Sequence, residues 1–162
     1  NLYGYQVAPE LRQRRMDLRR RLLEFAPGDP QAGKVLKELA DDYLLAHGPR
    51  KAIELLDEFK GRVDVPPVSL AMSYANFHGQ AGDGDTARSY YDSILRDTTV
   101  TEAERASVRF AHAYSFYQQR RYDDAARGFQ ALIESYGDDP PAVVRNTVDG
   151  ARNYLQKGRD KK

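Results

Sequence analysis

Apolar and small residues recur along the chain at the three- and four-residue spacing of amphipathic helices. In residues 120–129, RRYDDAARGF, the residues Tyr122, Ala125 and Phe129 fall at i, i+3 and i+7, with charged residues between them. This spacing places the three side chains on one helix face and turns the charges away from it. The small residue between two large ones indicates close contact with another helix. No segment shows a sustained period of two, so we predict helices and no strands.

A longer pattern occurs three times along the chain. Each copy consists of a small residue followed by a large one, then a turn, then a second small residue followed by a second large one. The two small residues of each copy are twelve positions apart, and the copies begin at Ala40, Ala75 and Ala113. A fixed internal spacing with variable joints is typical of stacked helix pairs, because the pair is the structural unit. The copies are Ala40/Tyr43 with Ala52/Leu56, Ala75/His78 with Ala87/Tyr91, and Ala113/Phe116 with Ala125/Phe129.

Partial copies flank these three pairs. Ala151 and Tyr154 repeat the first half of the pattern. The stripe Leu11, Leu18, Leu22 and Phe25 resembles the second helix of a preceding pair. We therefore predict eight helices, at about 8–25, 32–46, 49–62, 67–80, 84–97, 102–118, 122–136 and 140–157.

Two helix starts have specific capping signals. Thr101 and Glu104 have the spacing of a capping box. Asp139 precedes Pro140, which predicts an N-cap followed by a proline in the first helical turn.

These features resemble the tetratricopeptide repeat family over residues 32–158. In that family small residues let the two helices of a pair approach, and aromatic residues fill the space between pairs. The resemblance implies an all-α, right-handed superhelical solenoid of antiparallel helix pairs. We expect one domain over 1–162, with a flanking helix in 8–31, repeats in 32–66, 67–101 and 102–139, and a further helix in 140–158.

The sequence departs from the family pattern in spacing and composition. The copies are 35 and 38 residues apart, longer than the usual repeat of about 34, there is no tryptophan, and His78 replaces an aromatic. The segment 134–140 is similar to repeats of bacterial division- and secretion-associated lipoproteins. That likeness favours the periplasm or cell envelope, with the cytoplasm as the alternative.

Composition narrows the possible partners. The 25 basic and 24 acidic residues nearly cancel, so no overall charge favours nucleic acid. No apolar run approaches the ~18 residues of a membrane span, and no cysteine is present. Because the chain begins at Asn1, we expect it to be part of a longer protein.

No arrangement of residues suggests catalysis. His47, His78 and His112 lack partners at metal-ligand spacing, so we expect neither metal nor cofactor. The segment Gly82-Asp83-Gly84-Asp85-Thr86 partly matches a calcium loop but lacks the closing glutamate, which favours a turn. We predict that the protein is not an enzyme.

The resemblance implies that the first helix of each pair lines an inner groove. The partner-binding residues would be Lys37, Asp41, Met72, Asn76, Gln80, Phe110, Tyr114, Tyr117, Arg145 and Arg152, together with Leu44 and Val148. Tyr114 and Tyr117 either contact a partner or pack against the neighbouring helix pair. A clamp for a peptide carboxylate is disfavoured, because Asp41 replaces a required asparagine.

The first helix carries a cluster of arginines. It forms either a solvated face or a contact for an anionic polymer, whose signature would be a steep salt dependence. The cluster consists of Arg12, Arg14, Arg15, Arg19, Arg20 and Arg21.

We interpret the chain as a non-enzymatic adaptor that binds a peptide or protein in the groove. The alternative is a structural spacer within a longer array in a bacterial envelope assembly or in polysaccharide or lipoprotein export. Exposed end helices would also allow a homodimer.

Overall fold

The computed structural model describes residues 9–159, and this range contains eight helices and no strand. They are α1 (Pro9–Phe25), α2 (Ala32–His47), α3 (Pro49–Phe59), α4 (Pro67–Gln80), α5 (Gly84–Arg96), α6 (Glu102–Gln118), α7 (Tyr122–Tyr136) and α8 (Ala142–Arg159). The predicted all-α class and helix order are confirmed. Of the described helices, none is long and apolar enough to cross a membrane.

The main difference from the predicted boundaries is at the end of α3. We predicted a helix to residue 62, whereas α3 ends at Phe59. Lys60 leaves the helical region at φ −58° and ψ 125°, and Gly61 has a φ of 76°. A positive φ favours glycine, so the chain turns here and an isolated bridge joins Lys60 to Val63.

The start of α8 also differs from the prediction. The helix begins at Ala142, so Asp139 is not its N-cap. Pro141 restricts Pro140 to an extended conformation, which delays the helix. The carboxylate of Asp139 accepts a hydrogen bond from the Arg145 guanidinium at 3.1 Å instead.

The chain forms two compact units, one extending to Pro67 and the other beginning at Val68. In the first unit, α1 and α3 both contact α2. In the second unit, one buried cluster joins α4, α5 and α6, and another joins α6, α7 and α8. The single domain and its repeat boundaries stay predictions.

The predicted small positions hold the helix pairs together. All seven alanines of the repeat pattern are buried, and so are the large residues Leu56, Tyr91 and Phe129. Helices α6 and α7 approach closely, since a Cβ placed on Gly128 would lie 2.7 Å from the Cβ of Ala113. Small residues at these positions therefore allow helix-to-helix contact that a larger side chain would prevent.

The capping box at Thr101 and Glu104 is confirmed. The Glu104 backbone amide donates to the Thr101 hydroxyl, and the Glu104 carboxylate accepts from the Thr101 backbone amide at 2.9 Å. The predicted turn is present at Gly82, and residues 84–86 already belong to α5, which Asp83 caps by accepting from the Thr86 amide. These local bonds fix where α5 and α6 begin.

Candidate functional site

Three predicted groove residues form an aromatic row on one face of α6. Phe110 and Tyr114 are stacked with ring centroids 6.1 Å apart, and Tyr114 and Tyr117 are stacked at 6.2 Å. The rings follow one another at four- and three-residue spacing, which places them on the same side of the helix. We call Phe110, Tyr114 and Tyr117 the α6 aromatic row.

Tyr154 of α8 packs edge-on against every member of this row. Its ring centroid lies 5.9 Å from Phe110, 5.0 Å from Tyr114 and 5.2 Å from Tyr117. Burial, followed by a hydrogen bond with Tyr154, raises the pKa of Tyr114. The row therefore packs against the next helix, which was one of the two alternatives, and each of the three residues is half-buried.

A polar cleft of about 270 Å³ lies beside the aromatic row, between α4 and α6. It includes Asn76 and Gln80, which we predicted, and these two amides are joined by a hydrogen bond of 3.1 Å. We call this the amide cleft. Its lining residues are Asn76, Gly79, Gln80, Ser115, Gln118 and Gln119.

The sequence analysis missed the α6 side of the amide cleft. Gln118 lies one turn after Tyr114, and that spacing was the available signal. Its amide also bonds to Tyr114, which links the cleft to the aromatic row. The Ser115 hydroxyl donates to the His112 carbonyl at 2.7 Å, so its oxygen can still accept a bond.

The chemistry of the amide cleft matches that of a peptide backbone. A primary amide has two donor hydrogens and a carbonyl acceptor, so it can pair with both groups of a peptide bond. No charged side chain lines the cleft. An uncharged site of this kind can bind backbone groups without strong selection for side-chain charge.

The other predicted groove residues lie elsewhere. Lys37 and Asp41 are exposed one turn apart on α2, in the first unit. Met72 is half-buried against the cluster that contains Ala75 and Tyr91. Leu44 is half-buried.

Val148 was expected in the groove, but it has no exposed surface and belongs to the core. That prediction is wrong because α8 turns this position toward α6 and α7.

Arg145 and Arg152 are not part of the aromatic row. Arg145 donates to the Pro140 carbonyl at 3.3 Å, and Arg152 donates to the Gly137 carbonyl at 3.0 Å. At 100° per residue, both lie on the opposite flank of the buried face of α8 from Tyr154. The two arginines therefore hold the loop between α7 and α8.

Half of the arginine cluster on α1 forms ion pairs within the first unit. Arg15 and Arg19 both bind the buried carboxylate of Asp42 on α2, and Arg20 binds Glu58 on α3 at 2.5 Å. The hydrogen bond with Asp42 is the main cause of a raised pKa for Arg15. Only Arg12, Arg14 and Arg21 are left for an anionic polymer, which weakens that alternative.

The histidines have structural partners. His78 Nδ1 lies 3.2 Å from an Asp83 carboxylate oxygen, and its ring stacks on Tyr90 at 5.8 Å. Between residues 9 and 159 there is no group of three or more histidine, aspartate or glutamate side chains that could hold a metal ion.

Buried small residues between paired helices define a helical-repeat protein. The family model of the tetratricopeptide repeat matches residues 107–139, which contain most of α6 and α7. Residues 107–139 are therefore a tetratricopeptide repeat, and this repeat type indicates interaction with other proteins. Searches of curated proteins and of solved structures give no significant match.

Proposed function

We propose that the protein is a non-enzymatic interaction scaffold that binds an extended peptide along α4 and α6. The observation that carries this proposal is the amide cleft beside the half-buried α6 aromatic row. Amides would pair with the peptide backbone, and the tyrosines would contact neighbouring side chains. Arg145 and Arg152 lie outside this site, because they are on the flank of α8 away from Tyr154, where each bonds to a carbonyl of the α7–α8 loop.

Rigidity would favour binding at this surface. The helices that carry the cleft are fixed by buried contacts through Ala75, Tyr91 and Ala113. A preformed site loses little conformational entropy when a ligand binds. Lys37 and Asp41 remain proposed contacts for a partner of the first unit.

Selection from a displayed library of random peptides tests the proposal. We expect the protein to enrich related sequences, and we expect Asn76→Ala/Gln118→Ala to lose them. This double variant removes two cleft amides, including the Gln118 amide that bonds to Tyr114, and keeps the three rings of the aromatic row and the buried core residues. Far-UV circular dichroism and thermal unfolding would verify that the variant is folded.

A matched control removes two amides outside the cleft, in Gln13→Ala/Gln130→Ala. Both residues are exposed, on α1 and α7, and each forms one hydrogen bond with an acidic neighbour on its own helix. The control should enrich the same peptides as the unmodified protein. Enrichment that survives in the cleft variant, or no enrichment at all, would contradict the proposal.

The second candidate function is a structural spacer, and the exposed side of α1 favours it. Leu11, Leu18, Leu22 and Phe25 lie within a narrow stripe, and Phe25 is 93% exposed. An exposed apolar stripe of this length marks a surface that contacts another protein element. Such a spacer could belong to a bacterial envelope assembly, because segment 134–140 is similar to repeats of bacterial division- and secretion-associated lipoproteins.

Self-association would distinguish the spacer role from the adaptor role. The spacer hypothesis predicts concentration-dependent association in sedimentation equilibrium that Leu18→Ser/Phe25→Ser removes, together with no peptide enrichment. A monomer with peptide enrichment would instead support the adaptor.

A further inference from the structure

A second cavity lies on the side of α6 that faces away from the aromatic row. It is bounded by α5, α6 and α7 and has a volume of about 430 Å³. This size is within the range of roughly 300–1,000 Å³ for ligand pockets. We call it the α5–α7 pocket. Its lining includes Leu95, Arg109, His112, Phe116, Arg127 and Leu132.

Helix periodicity separates this pocket from the proposed peptide site. Arg109, His112 and Phe116 fall at i, i+3 and i+7, so they share one face of α6. At 100° per residue, that face is about 160–220° from Tyr114. One helix therefore presents two different surfaces.

The walls of the pocket are mainly apolar. Leu95 comes from α5, Phe116 from α6 and Leu132 from α7. The His112 ring stacks on Tyr91 at 4.8 Å and packs against the Phe116 ring at 5.1 Å with a tilt of 36°, and these two contacts fix its orientation. Burial lowers the pKa of His112, so the ring is neutral at neutral pH and acts as a hydrogen-bonding group.

The charged residues of the pocket are unbalanced. Arg127 binds Asp124, and the same carboxylate also accepts a hydrogen bond from Arg121 at 2.7 Å. Arg109 has no hydrogen-bond or ion-pair partner within residues 9–159, although it lies near enough to Tyr136 to affect its ionisation. Two arginines and one shared carboxylate give the pocket a net positive charge.

Tyr136 does not neutralise Arg109. Its hydroxyl donates to the Glu102 carboxylate, and burial together with this bond raises the pKa of Tyr136 to about 12. The phenol therefore remains uncharged at neutral pH. Among the described residues, Arg109 is the pocket arginine without an ion-pair partner, so it can bind an anionic ligand without breaking an existing pair.

We propose that the α5–α7 pocket binds a protein segment in which a large apolar side chain is followed by a carboxylate. The apolar side chain would lie between Leu95, Phe116 and Leu132, and the carboxylate would pair with Arg109. A partner protein is favoured as the source because the tetratricopeptide repeat of residues 107–139, which supplies most of the pocket, suggests protein interaction. This site is independent of the amide cleft and goes beyond the function proposed above.

The test uses a blocked peptide of sequence Gly-Ser-Phe-Asp-Ser-Gly and the full chain labelled with ¹⁵N. Titration should shift the backbone amides of Ala113, Gly128 and Leu132 and leave those of Asn76 and Gln118 in place. Arg109→Gln should weaken binding about tenfold, the effect of removing one charge-assisted hydrogen bond. Replacing Asp by Asn in the peptide should weaken binding by the same factor. Combining this peptide with Arg109→Gln should weaken binding no further, because both changes remove the same ion pair.

The control variant is Arg50→Gln, which changes the net charge equally at an exposed position on α3. It should bind the peptide as the unmodified protein does, and thermal unfolding should show that Arg109→Gln is folded. An absence of pocket shifts at millimolar peptide would overturn the proposal, as would equal binding by Arg109→Gln. Phenylacetate binding as tightly as the peptide would also overturn it, because the pocket would then be a small-carboxylate site.

Discussion

At the scale of single residues, Gly128 shows how closely α6 and α7 approach. A methyl group there would meet the Ala113 side chain at 2.7 Å and its Cα at 3.2 Å. Because neither contact can be relieved by a rotamer change, we expect Gly128→Ala to destabilise the protein by about 1–3 kcal/mol. Urea unfolding measures this, with Gly84→Ala as the control because nothing lies within 4 Å of its Cβ position. Equal stability of the two variants would contradict the close contact.

His112 predicts a pH dependence of stability. Burial is the main cause of its lowered pKa, Arg88 lowers it further, and Asp92 opposes the shift. Since the unfolded chain binds a proton near pH 6.5 and the folded protein binds it less readily, stability should fall as the pH drops below about 6.5.

The measurement is the free energy of unfolding at several values between pH 7 and about 5. His112→Phe keeps an aromatic ring against Tyr91 and Phe116 but cannot titrate. Its stability should change less over this window than that of the unmodified protein. Parallel pH profiles for the two proteins would show that His112 is not the cause.

At the scale of elements, α1 is joined to α2 through a buried carboxylate. Asp42 is 5% exposed and accepts hydrogen bonds from Arg15 and Arg19. We expect Asp42→Ala to cost about 2 kcal/mol, because it removes charged hydrogen bonds from Arg15 and Arg19 and leaves Arg19 paired with Glu38 alone.

Hydrogen exchange of the α1 amides is the appropriate measurement, since it reports local opening of that helix. Asp41→Ala removes the neighbouring carboxylate, which is exposed, and should leave the exchange of α1 unchanged. If both variants accelerate exchange equally, the ion pairs to Asp42 do not hold α1 in place.

For the molecule as a whole, some structural features can be predicted from the sequence and others cannot. The helices and the buried alanines follow from local periodicity, because each repeat places the same residue types at the same contacts. Val148 illustrates what periodicity cannot predict. The spacing correctly placed this residue in a helix, but it did not indicate that α6 and α7 bury its side chain. Similarly, periodicity placed Arg145 on α8 but did not reveal its bond to the Pro140 carbonyl, because that contact depends on the path of the loop.

The two candidate sites differ in how far they were predictable. Asn76 and Gln80 were predicted to contact a partner because they lie on the first helix of a repeat pair. Gln118 and Gln119 were missed, because only the packing of α4 beside α6 places them in the cleft. The α5–α7 pocket had no sequence signal, because its residues come from three helices. Its individual residues look like ordinary helix positions.

Backbone recognition by the amide cleft is the central claim, and calorimetry on a selected peptide tests it most directly. The measurement compares the affinity of this peptide with that of copies N-methylated at single backbone amides. Methylation at contacted positions should weaken binding by about tenfold, from loss of a hydrogen bond and steric interference. The same methylation should have little further effect on Asn76→Ala/Gln118→Ala. Full affinity after methylation at every position would contradict backbone recognition.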